Sequence, residues 1–169
     1  NKTEQVKVTA AATASDLPSS QARFLATIDN YATQFRTAKN ELQESSLRMG
    51  RGDAIVKMTG PALNVENWIG RITKLGTDGQ DKAYIRVSIA PNIELVTFNM
   101  SALDMQGTMI PPGSKLYSNL MSMAEGDEIR VSGTFIPDAQ TGFQEASITI
   151  NGAMTEPAFL FYFSHLEKY

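Results

Sequence analysis

The chain has no cysteine, one histidine at position 165 and one tryptophan at position 68 among its 169 residues. Without cysteine there are no disulfides, no thiolate metal centres and no cysteine nucleophile, although the cellular compartment stays open. The lone His165 stands close to the C-terminus, a poor place from which to build a serine–histidine triad, and histidine-rich metal sites are excluded. No apolar run approaches the roughly 20 residues that cross a bilayer, so no transmembrane segment is expected in this chain. A phosphate-cradling glycine loop is missing too, because Gly50-Arg51-Gly52 lacks both a preceding strand and a following Lys-Ser/Thr. These absences point to a protein that is not an enzyme, with no cofactor and no bound metal.

Positive charge is also short where nucleic acid would need it. The net charge is −3; residues 1–59 carry 8 Lys/Arg against 6 Asp/Glu, and residues 60–169 carry 7 against 12. A body that acidic argues against binding that rests on phosphate neutralisation alone. The start at Asn1 rather than Met leads us to expect a trimmed chain, cut behind a signal peptide or lipid anchor. The expected location is therefore exported or cell-envelope associated, with the cytoplasm kept open.

What is present is apolar patterning. A hydrophobic content of 42% supports a core for one domain plus an extension. Residues 1–19, rich in Thr, Ala and Ser, read as a mobile N-terminal tether. Residues 20–59 read as a long helix and connector. Phe24, Ile28, Tyr31, Phe35, Ala38, Leu42 and Met49 recur at helical spacing over 20–49, with closure near Gly50 or Gly52 and a short strand at 54–58. That stripe is narrow, so it can be buried against its own domain or against a second copy; packing in cis is favoured, with a homodimer through this helix as the alternative.

Residues 60–169 carry the strands. Alternation marks Asn67–Leu75 and Lys82–Ala90, joined by a turn at Asp78-Gly79, and Pro91-Asn92 separates these from Ile93–Asn99. A helix over Lys115–Ala124 ends at Gly126 and feeds a strand at Asp127–Ile136. A fifth strand is expected at Phe143–Asn151 with Ala146, Ile148 and Ile150 inward. A terminal aromatic strand follows at Ala158–Phe163, whose Phe159, Phe161 and Phe163 share one side and either close the barrel or seat the helix. The fold class is mainly β, α+β overall: a five-stranded Greek-key barrel of the oligonucleotide/oligosaccharide-binding (OB) type, preceded by one long α-helix. Asn67–Leu75 (NWIGRITKL) and Glu125–Phe135 (EGDEIRVSGTF) resemble the Trp-x-Gly opening strand and the Gly-Asp fourth strand of the tRNA-anticodon-like OB family. That family includes bacterial exported or lipid-anchored proteins described as nucleic-acid binders, and the resemblance covers about residues 60–155.

An OB barrel offers the outer face of its second and third strands to its ligand. Tyr84 and Arg86 point outward there, Arg71 and Arg130 are outward on strands one and four, and Phe98 lies on strand three. Two readings stand side by side: a local positive stripe for stacking and phosphate contact, or cross-strand ion pairs with Glu94, Glu128 or Glu145. Trp68 shares a side with Gly70 and Ile72 and belongs to the core. Glu125, Asp127 and Glu128 form a solvated edge rather than a Ca²⁺ loop, and the methionines at 100, 105, 109, 121 and 123 read as adaptable core filling. The expected function is a non-catalytic binding module for single-stranded nucleic acid or another flexible ligand, the alternative being an envelope-associated protein–protein interaction domain.

Overall fold

The computed structural model describes residues 16–169, so residues 1–15 of the tether expected over 1–19 lie outside the described residues, and Ser19 already opens the first helix. Two helices, α1 (Ser19–Arg36) and α2 (Glu41–Thr59), precede β1 (Asn64–Thr77), β2 (Ala83–Ala90) and β3 (Ile93–Val96). After α3 (Lys115–Leu120) come β4 (Glu128–Phe135), the short pair β5 (Pro137–Asp138) and β6 (Gly142–Phe143), α4 (Ile150–Thr155) and β7 (Ala158–Lys168). The chain is thus a mixed α/β fold around a closed five-stranded barrel in the order β1-β2-β3-β7-β4. All neighbours are antiparallel except β3 and β7, which run parallel. This connectivity is consistent with an OB-like barrel.

Strand alternation builds the interior. Trp68 and Ile72 from β1, Ile85 and Val87 from β2, and Ile129 and Val131 from β4 are all buried. Phe159, Phe161 and Phe163 of β7 join them and close the barrel. Phe24 of α1 plugs the end where β1 begins and β4 ends, with ring centroids 4.9 Å from Trp68 and 5.4 Å from Phe135. At the opposite end, where β1 finishes and β2 starts, Leu120 of α3 is buried and Asn119 donates to the Leu166 carbonyl at 3.2 Å. Gln21, fully buried, both donates to and accepts from the Ile69 backbone at 2.7 and 2.8 Å. Phe24, Ile28 and Phe35 of the helical stripe are therefore buried in cis, whereas Leu42 and Met49 at its far end are exposed.

Several expectations need correction. The single helix over 20–49 is two helices, because Asn40 caps α2: its side chain accepts from the Gln43 N–H at 3.0 Å while Gln43 accepts from the Lys39 N–H at 2.8 Å. Gly50 and Gly52 lie inside α2, which continues through the expected strand at 54–58 and ends at Gly60 with φ 78°. A Cβ on Gly52 would stand 2.1 Å from the Thr141 carbonyl oxygen, so this glycine marks a close approach and not a helix end. The expected strand at Phe143–Asn151 is a strap instead, with Ile148 fully exposed and Thr149 capping α4. Its barrel place is taken by β7, whose phenylalanines bury more apolar area per residue than Ala146, Ile148 and Ile150 would. The third strand stops at Val96 and α3 at Leu120. Among the methionines, Met109 is buried, whereas Met100, Met105 and Met121 are exposed and fill no core.

Candidate functional site: a groove over the second and third strands

The register of the barrel decides what faces outward together. Gly76 pairs with Tyr84, Lys74 with Arg86, and Arg86 with Val96, so these residues stand in adjoining rows over β1, β2 and β3. Past Val96 the chain turns through Thr97 and Phe98, and the strap returns with Glu145 and Ile148. Together they enclose a groove of about 890 Å³. Tyr84, Arg86 and Phe98 are the sequence-predicted residues that the fold brings into it.

Local chemistry holds each wall. The Tyr84 ring crosses over Gly76, where any Cβ would lie 2.5 Å from the tyrosine hydroxyl. Gly76 thus positions Tyr84, a role visible only once the register is known. Phe98 is held through its backbone N–H, which donates to Thr108 Oγ1 at 2.9 Å, and Thr108 in turn donates to Asp104 from both N–H and hydroxyl at 2.8 Å. Asp78, in the β1–β2 turn, accepts from the Ser101 hydroxyl, from the Ser101 N–H at 2.8 Å, and from the Gln80 and Lys82 N–H groups at 3.0 and 3.2 Å. The Ser101 hydroxyl first, then these backbone donors, hold the Asp78 carboxyl down at about 2. Two loops bordering the groove are thereby tied to each other.

The strap is pinned from behind. Glu145 and Arg51 form an ion pair whose side chains are 2% and 1% exposed, and Arg48 reaches the same carboxylate at 3.2 Å. Arg51 also donates to the Ala153 carbonyl at 2.6 Å and lies 5.7 and 5.6 Å from the ring centres of Phe143 and Phe159. Burial lowers the Arg51 pKa from its ordinary value, with the facing Glu145 opposing that drift. Sequence reasoning missed this anchor, since a charged pair from a helix and a strap leaves no periodic signal.

Charge in the groove is largely compensated. Arg86 donates to Glu94 from Nε and Nη2 at 3.3 and 2.9 Å, and Thr73 donates to the other oxygen of that carboxylate at 2.7 Å. Burial pushes the Glu94 carboxyl up, but the Arg86 and Thr73 hydrogen bonds and the Arg86 charge outweigh it and leave the pKa below the ordinary range. Lys74 stands 3.8 Å from Glu125. Arg71 lies outside the groove, one row along at Ser88, paired with Glu128 at 3.0 Å and donating to the Gly126 carbonyl. Arg130 is farther still, its guanidinium 5.0 Å from the Tyr169 ring centre. The five residues therefore do not share one face, and Glu145, considered as a cross-strand partner for these arginines, belongs to Arg51 and Arg48.

The described residues contain no group of three His, Asp or Glu side chains placed to hold a metal ion, and no helix long and apolar enough to cross a membrane. No family model matches this chain, and no curated protein is similar to it in sequence.

Proposed function

We propose that this chain is a non-catalytic OB-type binding module that takes an extended, flexible ligand in the groove over β2 and β3, with single-stranded nucleic acid the first ligand to test. The observation that supports it most directly is the convergence of Tyr84, Phe98, Arg86 and Lys74 on one open groove whose bordering loops are hydrogen-bonded in place. Aromatic rings give sequence-tolerant stacking worth about 1–3 kcal/mol per base, and ordered loops reduce the entropic cost of binding. The resemblance to the tRNA-anticodon-like OB family supports the same reading. Fluorescence anisotropy with labelled single-stranded oligonucleotides at low salt tests it. Saturable binding that falls at least tenfold with Tyr84→Ala and with Phe98→Ala is expected. No binding at high micromolar protein, or binding indifferent to both changes, rejects it.

A second reading is an envelope-side module for a protein partner. Its observation is the apolar rim: Leu103 and Ile148 border the groove, Ile148 is fully exposed, and nearby Met105 is 92% exposed. Ile148→Ser separates the two, since it weakens a peptide-binding rim and leaves base stacking on Tyr84 and Phe98 untouched.

A further inference from the structure

A second surface of the barrel, around β4, is organised differently. The register of β1 against β4 shifts between Val65 and Trp68, and that of β7 against β4 shifts at Ser132/Gly133. Two bulges thus flank the same dipeptide of β4. On one side Glu66 and Asn67 are pushed out, Asn67 with φ 55° and its N–H given to Ser132 Oγ at 2.9 Å. On the other side Ser164 is the extra residue. Gly133 forms the floor, where a Cβ would lie 2.0 Å from the Tyr162 carbonyl oxygen. Bulges re-aim side chains, and two of them back to back open a shallow dish of about 490 Å³.

The contents of the dish differ from those of the groove. Asn64, Thr134 and Tyr162 stand in one cross-strand row, and the Tyr162 ring is half exposed. The side chains of Asn64, Glu66, Asn67, Thr134, Tyr162 and Ser164 are uncommitted: none makes a hydrogen bond within the described structure. No lysine or arginine lines the dish, and His165 faces Glu167 at 3.3 Å. An anion would meet Glu66 with no lysine or arginine to offset it. A ligand suited to these walls is uncharged, rich in hydroxyl groups, and has an apolar face for the Tyr162 ring. Amides and carboxylates bridge neighbouring hydroxyls, while the amphipathic ring covers the C–H face of a sugar.

From this geometry we infer that the β1–β4–β7 face is a second binding site, specific for a short neutral oligosaccharide and independent of the groove over β2 and β3. The test uses ¹H–¹⁵N NMR on the full chain, titrated separately with cellotetraose, maltotetraose, chitotetraose and mannotetraose up to about 10 mM, a range that covers weak single-site affinities. At least one sugar is expected to shift amides of residues 64–67, 132–134 and 162–165, while amides around Tyr84 stay fixed. Tyr162→Ala and Asn67→Gly should each weaken that titration at least fivefold. Asn67→Gly keeps the left-handed backbone accessible, and the spectrum itself reports whether either variant is folded. Arg86→Ala should leave the sugar titration unchanged. The inference is overturned if no sugar shifts these amides, if the shifts gather over β2 and β3, or if a dT oligonucleotide displaces the sugar from the dish.

Discussion

At the scale of single residues, the side chains that decide the site are those whose hydrogen-bonding capacity is fully used. Asp78 illustrates it: the β1–β2 turn was legible from Asp78-Gly79, but the reach of that carboxylate to Ser101 was not, because it joins segments 23 residues apart with no shared periodicity. Its carboxyl sits at about 2 in the folded chain against an ordinary 3.8, so the ionised form is the one the fold favours. The contribution is therefore complete above the ordinary value and fades as pH falls from about 4 toward 2. In unfolding experiments followed across that range, the stability difference between the native chain and Asp78→Asn should shrink steadily toward acid. A difference that stays constant from pH 5 to pH 2 would mean that the loop link contributes nothing through its charge. Gln21 shows the same limit of sequence reading, since a buried amide paired to the Ile69 backbone looks in sequence like any polar residue on a helix.

At the scale of elements, local rules were sufficient wherever burial follows one strict period. β1, β2 and β4 follow from alternation and turn residues, and so does the side shared by Phe159, Phe161 and Phe163. They failed where two elements compete for one place. Residues 143–151 alternate well enough to look like a strand, yet β7 offers more apolar area to the same barrel slot, and only the whole sheet decides between them. Glycine was ambiguous for a similar reason, because a helix end and a close helix–loop contact both require it. Gly52→Ala separates these roles. In an exposed helix the change would raise stability by up to about 1 kcal/mol through helix propensity. Here the new methyl meets the Thr141 backbone, so chemical denaturation should show destabilisation of at least about 1–3 kcal/mol, the usual range for overpacking. A stabilised Gly52→Ala protein would mean that α2 does not seat against the β5–β6 turn.

At the scale of the whole molecule, the distribution of charge limits how the proposed groove can work. The barrel region is acidic, and its groove cations are held by carboxylates: Arg86 by Glu94, Lys74 by Glu125. An oligonucleotide entering the groove must therefore exchange a Glu94 contact for a phosphate contact at Arg86, and the two energies largely cancel. Stacking on Tyr84 and Phe98 would carry most of the affinity, and log K should fall with log salt more gently than a count of nearby cations suggests. Glu94→Gln changes this balance without changing shape, since glutamine still accepts from Thr73 and frees the Arg86 guanidinium from its ion pair. The variant should bind single-stranded DNA about three- to tenfold more tightly at low salt, with a salt slope steeper by about 0.7, the value for one additional phosphate contact on a single strand. Arg86→Ala in the same background should return both quantities to the starting values. If Glu94→Gln leaves affinity and slope where they were, Arg86 does not meet phosphate; if it weakens binding, the carboxylate itself contacts the ligand, as it would for a basic peptide lying along the exposed Ile148 rim.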